Sequence, residues 1–209
     1  DLAGGGILWS KSEAPSKNAC SNGPGSVIAC KLSMLLDNQA DKDKYLEQAK
    51  KIYWWQRSVL YDATSGQVYD NINAQGNIST VSLTYNQGTF LGTAHLLYQI
   101  TGDVNYLNDA VKIARYTNTK TVDAVTGYSD YGVLRDEGSG DNCTFKCIYM
   151  RYFVELANEP ALDKSIRQEF SDFIKFNAYV LWTKGVDKTT DELLFSQSWQ
   201  SPAYERTEM

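Results

Sequence analysis

Residues 84–88 read Thr-Tyr-Asn-Gln-Gly and place a phenol beside two carboxamides at the start of an apolar helical pattern. A carboxamide donates and accepts hydrogen bonds at once, and an aromatic ring offers a flat apolar face. Sugar hydroxyls pair well with carboxamides, and pyranose faces pack on aromatic rings, so the cluster has the chemistry of a sugar site. Thr84 and Gln87 also stand at capping-box spacing, which makes a well-capped buried helix the simpler interpretation of this stretch alone.

Several common catalytic arrangements are not supported by the sequence. His95 is the only histidine and falls in the middle of the same helical pattern, where we expect a packed residue rather than a general base. No persuasive Ser-His-Asp or Cys-His arrangement is left. The four cysteines lack the paired C-x-x-C spacing of a zinc site, and we predict thiols in preference to disulfides. They are Cys20, Cys30, Cys143 and Cys147.

The composition fits one globular domain and limits the range of partners. The 209 residues carry a formal charge of −5 at pH 7, which speaks against nucleic acid or an anionic membrane surface as the main partner. No segment has the length of a membrane-spanning helix, so we expect no membrane insertion. Fourteen tyrosines and five tryptophans, several in segments that read as loops, mildly favour stacking on carbohydrate.

An internal repeat indicates how the chain is organised. The motif Tyr-Leu-x-x-Ala-x-Lys-Ile occurs at residues 45–52 and again at 106–113. Each copy follows an apolar helix and a short acidic turn, so the repeating unit is an αα-hairpin that must stack on neighbours. The first helix of each hairpin is the more apolar, which indicates the inner ring of an all-α toroid. Three hairpins fit the chain: Val27–Val59, Thr84–Asn118 and Phe145–Trp182.

Glycine and proline positions set the expected helix bounds and contacts. Pro24 suits the first position of a helix over Val27–Leu36, with the preceding segment irregular. Gly102 suits the end of the second inner helix. Gly88 and Gly92 would let a neighbouring backbone approach that helix closely.

Five motifs in order resemble glycoside hydrolase family 76. They are Gly-Gly-Gly-Ile-x-Trp at 4–9, Lys-Asn-Ala at 17–19, Thr-Tyr-Asn-Gln-Gly at 84–88, Leu-Tyr-x-x-Thr-Gly-Asp at 97–103, and Phe-Lys at 145–146 with Arg-Tyr at 151–152. The resemblance implies an (α/α)6 toroid of inner and outer helices, in which residues 1–209 form a single glycoside hydrolase domain covering about its C-terminal half. It also implies endo-acting cleavage of α-1,6-mannan by a retaining mechanism that uses two carboxylates and no metal or organic cofactor.

The catalytic residues implied by the resemblance are not found in this sequence. In the family they are a consecutive Asp-Asp pair upstream of the Gly-Gly-Gly-Ile motif, and these 209 residues contain no Asp-Asp dipeptide. We therefore assign no catalytic residue. We expect either that the first helices of the toroid precede this sequence or that the chain is a fragment with open inner faces.

The resemblance transfers substrate-binding roles to residues in the loops and at the helix starts. Trp9 would stack on a mannose face or anchor a loop, and Asn22 would bind hydroxyls or cap a helix. Asp70 and Asp141 would reach into the cleft from loops, where aspartates also make turns. Lys146 would face the cleft, the alternative being a solvated lysine. The full set is Trp9, Asn18, Asn22, Asp70, Tyr85, Asn86, Gln87, Asp141, Phe145 and Lys146.

The leading interpretation is a monomeric enzyme acting on α-mannan polysaccharide or oligosaccharide. Its substrate implies a secreted, periplasmic or cell-surface location. The main alternative is a non-catalytic glycan-binding protein on the same toroid. A sugar epimerase would need more histidines, and a hydrolase of unsaturated uronides would favour a basic groove. A scaffold of helical hairpins would not need polar clusters at successive inner-helix starts.

Overall fold

The computed structural model describes residues 3–11, 14–125, 132–189 and 191–202. Within these ranges the chain is mainly helical, as the sequence predicts. Residues 126–131 and 203–209 lie outside the described residues. The helices are α1 Ala19–Leu35, α2 Gln39–Val59, α3 Thr84–Thr101, α4 Val104–Lys120, α5 Phe145–Ala157 and α6 Lys164–Val180.

The six helices pair into the three predicted hairpins. Helix α2 packs on α1, α4 on α3, and α6 on α5. Helix α3 in turn lies between α1 and α5, so the first helix of each hairpin belongs to an inner layer and the second to an outer layer. The inner helix α3 is buried almost all round along its first fourteen residues, which explains its apolar sequence.

Glycines set how closely the inner helices approach. A Cβ atom on Gly88 would lie 2.5 Å from the Tyr149 Cα, and one on Gly92 would lie 2.4 Å from the Tyr152 ring. The approach of a neighbouring backbone is thus confirmed at Gly88, whereas the neighbour at Gly92 is the Tyr152 side chain and not a backbone. Gly102 ends α3 with a φ of 71°, also as predicted.

The predicted start of the first helix is wrong, because α1 begins at Ala19 and contains Pro24 in its interior. The Ala19 amide donates to the Asp70 carbonyl oxygen (2.8 Å), so another part of the chain satisfies a free group of the first turn. Gly23 packs against Thr89, where a Cβ would lie 2.4 Å from the Thr89 Oγ1. Tertiary contacts thus override the low helix propensity of glycine and proline.

Short antiparallel strands precede each inner helix, and one further pair follows α6. They are β1 Ser16–Asn18, β2 Tyr61–Asp62, β3 Gln67–Val68, β4 Asn71–Asn73, β5 Ile78–Ser79, β6 Val122–Ala124, β7 Gly132–Leu134, β8 Val186–Asp187 and β9 Leu194–Phe195. Strands β1, β4 and β5 form one sheet, and β2–β3, β6–β7 and β8–β9 form hairpins. Strand β1 leads into α1, β5 into α3 and β7 towards α5, so these connections gather at one end of the inner layer.

A buried carboxylate joins two outer helices. Asp109 on α4 accepts hydrogen bonds from the Tyr53 hydroxyl (2.5 Å) and the Arg57 Nε (2.6 Å), both on α2. The Tyr61 hydroxyl adds a longer bond of 3.4 Å. This network fixes the first hairpin against the second on the outer side. No helix in the described ranges is long and apolar enough to cross a membrane.

Candidate functional site

Asp70 lies where the connection before α3 meets the starts of α1 and α3. Its Oδ1 accepts hydrogen bonds from the Asn86 Nδ2 (2.8 Å) and the Tyr85 hydroxyl (3.4 Å). Its Oδ2 accepts from the Asn71 Nδ2 (2.7 Å). The structure therefore brings together three of the residues predicted from the sequence, namely Asp70, Tyr85 and Asn86.

An aromatic pair and a thiol complete this group. The rings of Tyr85 and Phe145 lie 4.0 Å apart between centroids, which joins the start of α3 to the start of α5. Burial, followed by the nearby Cys20 and Asp70, raises the pKa of Tyr85, so its hydroxyl remains a donor. Burial also raises the pKa of Cys20, partly opposed by hydrogen bonds with Ser21 and Tyr85. We call these five residues the Asp70 cluster: Cys20, Asp70, Tyr85, Asn86 and Phe145.

Asn86 has unused hydrogen-bonding capacity within the Asp70 cluster. Its side chain is buried, and while Nδ2 donates to Asp70, Oδ1 has no hydrogen-bond partner among the described residues. Buried polar atoms in folded proteins nearly always have a partner. The Asn86 Oδ1 is itself buried, so a ligand would reach it only if the neighbouring side chains moved.

Two other predicted carboxamides are fully used within the protein. The Gln87 side chain bonds the Val68 amide (3.3 Å) and carbonyl (3.0 Å), and also Ser82. The Asn22 side chain bonds the Ile7 amide (2.7 Å) and carbonyl (3.0 Å). Both residues are buried and hold loops in place, so the structure gives them positioning roles.

Trp9 and Asn18 lie at the entrance to α1. The Trp9 side chain is 61% exposed, which excludes its role as an anchor in the core and leaves its indole open to a ligand. Its amide bonds the Ser16 carbonyl (2.9 Å). Asn18 is half-buried, and its Oδ1 accepts from the Ser16 hydroxyl (2.7 Å).

The prediction for Lys146 is corrected by the structure. Lys146 is 1% exposed, its Nζ donates to the Gln197 carbonyl oxygen, and it lies 4.9 Å from the Trp199 ring centroid. Burial lowers the pKa of Lys146, while nearby Asp136 and Glu137 oppose that change. The segment after α6 covers this lysine. Lys146 therefore belongs to the closed interior.

Asp141 is placed apart from these contacts. It lies in a short 3-10 turn, Gly140–Thr144, directly before α5, and its side chain is exposed. Its carbonyl oxygen accepts from the Thr144 hydroxyl (2.8 Å), as in an ordinary turn. The contacts of the described residues do not join Asp141 to the Asp70 cluster.

The predicted capping box at Thr84 and Gln87 is wrong. Leu83 precedes α3 without a side-chain cap, and the carboxylate of Glu137 takes that role from a loop 53 residues away. The Thr84 amide donates to the Glu137 Oε1 (2.8 Å), and the Thr84 hydroxyl bonds Oε2. Sequence reasoning missed Glu137 because no local pattern connects it to α3.

The arrangement suits binding of hydroxyl groups more than proton transfer. Asp70 offers a half-buried carboxylate that Asn86 holds in place, and Tyr85 with Phe145 offers an apolar face. Glu137 is already bonded at the start of α3, so the Asp70 cluster contains one carboxylate and not two. In the ranges described above, no group of three or more His, Cys, Asp or Glu side chains could hold a metal ion.

A helical-hairpin array that carries polar and aromatic residues at its inner-helix starts belongs to the α/α architecture of many carbohydrate-active proteins. A family model, glycosyl hydrolase family 76, matches residues 1–209. The chain belongs to that family. A comparison with curated proteins gives no match.

Solved structures of the family superpose well on this chain. An alpha-1,6-mannanase from Salegentibacter sp. HEL1_6 is 40% identical with a TM-score of 0.86, over 99% of this chain and 59% of its own. A protein from Listeria innocua is 32% identical with a TM-score of 0.82, over 98% and 55% of the two chains. A family 76 mannosidase from Bacteroides thetaiotaomicron is 26% identical with a TM-score of 0.78, over 98% and 54%. The chain therefore corresponds to about half of the toroid of its relatives.

Proposed function

We propose that this chain provides the substrate-binding side of a glycoside hydrolase that cleaves α-1,6-mannan. The observation that carries the proposal is the Asp70 cluster, in which a half-buried carboxylate and an aromatic pair converge at the starts of three inner helices. Such groups match the alternating hydroxyls and apolar faces of a mannose unit.

Two of the similar structures support mannan as the substrate class. The Salegentibacter alpha-1,6-mannanase was solved with alpha-1,6-mannotetrose and with alpha-1,6-mannotriose, in inactive variants that have two consecutive aspartates replaced. Those ligands are linear α-1,6-linked chains. We extend this substrate class to the present chain on the basis of its 40% identity.

The proposed mechanism is retaining and endo-acting. Retention requires a nucleophile and an acid/base about 5–5.5 Å apart, the first ionised and the second protonated. Because the 209 residues contain no Asp-Asp pair, the chain itself contributes binding and orientation of the substrate. Mannan is a polymer outside cells, so we also propose a secreted, periplasmic or cell-surface location. We further propose that the protein acts as a monomer.

A second candidate function is favoured by the single carboxylate of the Asp70 cluster. A non-catalytic glycan-binding protein would use the Asp70 cluster for recognition and would need no second carboxylate. Its affinity for α-1,6-linked mannose chains would remain, while turnover would be zero.

The two functions are separated by one pair of assays on the protein that carries this chain. Binding of alpha-1,6-mannotetrose is measured by calorimetry, and products from α-1,6-mannan are followed by chromatography and by NMR of the anomeric protons. Oligosaccharides of mixed length, released first as the α anomer, are expected for the proposed enzyme. Binding without products would support the glycan-binding function, and neither binding nor products would contradict both.

A further inference from the structure

Glu137 joins the starts of two inner helices. Its carboxylate accepts from the amide and hydroxyl of Thr84, the first residue of α3, where unpaired amides and the helix dipole favour a negative charge. Its carbonyl oxygen accepts from the Asn142 Nδ2 (2.9 Å) in the turn before α5. Nearby, the Arg135 Nη2 donates to the Ser82 carbonyl oxygen (2.9 Å). One loop is thus bonded on both sides of the gap between α3 and α5.

The same gap carries the aromatic wall of the Asp70 cluster. Tyr85 follows Thr84 directly, and Phe145 is the first residue of α5, so both rings move with the helix starts that the Glu137 loop connects. Their 4.0 Å separation leaves little room for a shift of either helix. On its other side Tyr85 contacts Cys20 at the start of α1.

We propose that Glu137 is a positioning residue that holds the start of α3 against that of α5 and thereby sets the Tyr85–Phe145 wall of the sugar site. The part of this inference that concerns the sugar ligand rests on the proposed function. The part that concerns the position of Tyr85 rests on geometry alone. Loss of the carboxylate would leave the Thr84 amide without its partner and release the aromatic wall.

The first measurement is affinity for alpha-1,6-mannotetrose, compared between Glu137→Ala and Glu159→Ala. Glu159 is a matched control, because it is also a buried carboxylate that bonds a backbone amide near α5, that of Ala161 (3.0 Å), but it lies by His95, away from the Asp70 cluster. We expect Glu137→Ala to weaken binding about tenfold, as for loss of one charge-assisted hydrogen bond, with Glu159→Ala within about twofold of the parent. Equal losses in the two variants would overturn the proposal.

A conservative variant separates position from charge. Glu137→Gln keeps an oxygen for the Thr84 amide and offers an NH₂ group to the Thr84 hydroxyl, so we expect affinity within about threefold of the parent. If Glu137→Gln binds as weakly as Glu137→Ala, the positioning role is wrong.

A second measurement needs no ligand. Cys20 lies against Tyr85, whereas Cys30 lies buried further along the same helix. Alkylation by iodoacetamide, followed residue by residue with mass spectrometry, should be about tenfold faster at Cys20 in Glu137→Ala than in Glu159→Ala, with Cys30 unchanged in both. If the parent protein fails to bind mannotetrose, the proposed function fails, and the Cys20 rate alone decides whether Glu137 positions Tyr85. No change at Cys20 would contradict the inference.

Discussion

The two ends of helix α3 use polar residues in opposite ways. At the far end, His95 lies 2.9 Å from Glu159, whose other oxygen accepts from the Ala161 amide (3.0 Å), and Gln99 adds a longer bond. At the end that faces the loops, Asn86 keeps an unpaired Oδ1 among the described residues. Tyr85 there remains partly exposed.

The difference shows how a structural polar group can be told from a binding group on one helix. The His95–Glu159 contact closes on itself, because its main donors and acceptors are paired inside the protein. The Asp70 cluster has a half-buried carboxylate and an aromatic pair that a ligand could contact. We therefore expect the ligand at this end of α3 and not at the closed end.

The largest effect on stability is expected at the closed end. His95→Ala would remove the partner of a buried carboxylate and should lower the free energy of unfolding by about 3 kcal/mol. Urea denaturation measures this loss, and calorimetry with alpha-1,6-mannotetrose should show affinity within about twofold of the parent. Gln99→Ala, at an exposed neighbour, is the control and should change little. A tenfold drop in affinity for His95→Ala would remove the distinction between the two ends.

The largest effect on binding is expected at Asp70. Asp70→Ala would remove the carboxylate that is proposed to bind the sugar and that accepts from the buried Asn86 side-chain carboxamide. The affinity for mannotetrose should therefore fall about 30- to 100-fold. Asp62→Ala is the control, because Asp62 is an aspartate of the preceding connection that bonds only its own turn, at Thr64 and Ser65. Calorimetry on both variants checks the prediction, which fails if the two lose affinity equally.

Local signals in the sequence predict the helices well. Apolar periodicity and the repeat predict the three hairpins that the structure shows, and the sugar-binding role of residues 84–88 stays a prediction. Gly88 and Gly102 behave as predicted, whereas Gly92 meets an aromatic ring in place of the predicted backbone. The packed role predicted for His95 is also confirmed, because its side chain is buried and bonded to Glu159.

Partners that lie far apart in the chain could not be predicted. Glu137 caps α3 from 53 residues away, and Trp199 covers Lys146 from a segment 53 residues further along the chain. The early start of α1 depends on a bond from Ala19 to Asp70, which no local propensity contains. Sequence patterns report which positions are buried, whereas the identity of a polar partner depends on the tertiary fold.

A smaller effect is expected at Tyr85. Tyr85→Ala would remove the aromatic face beside Phe145 and should weaken mannotetrose binding about tenfold. Tyr85→Phe keeps the ring and loses only a 3.4 Å bond to Asp70, so affinity should remain within about threefold. Tyr98→Ala, a tyrosine near the closed end of the same helix, is the control and should leave affinity unchanged. Equal losses for Tyr85→Phe and Tyr85→Ala would mean that the hydroxyl, and not the ring, contacts the sugar.

The smallest effect is expected in how stability depends on pH, which should differ between the two glutamates near α3. Burial raises the pKa of Glu137 above its ordinary value, with the Thr84 hydrogen bonds opposing. At Glu159 burial also acts to raise the pKa, but bonds from Ala161, His95 and Gln99 outweigh it and hold the pKa below its ordinary value.

These shifts have opposite consequences for stability. A glutamate whose pKa is raised on folding stabilises the folded state at pH below the ordinary Glu value, and this contribution is lost as pH rises through the folded pKa. A glutamate whose pKa is lowered on folding stabilises the folded state at pH above the ordinary value, and this contribution is lost as pH falls through the folded pKa. Relative to Glu137→Gln, the parent should therefore become less stable as pH rises from the ordinary Glu value towards neutrality. Relative to Glu159→Gln, the parent should become less stable as pH falls from the ordinary value into more acidic solution. Urea unfolding of the three proteins across this range measures both slopes, and slopes of the same sign would show that the two ends of α3 do not differ in the way their carboxylates are held.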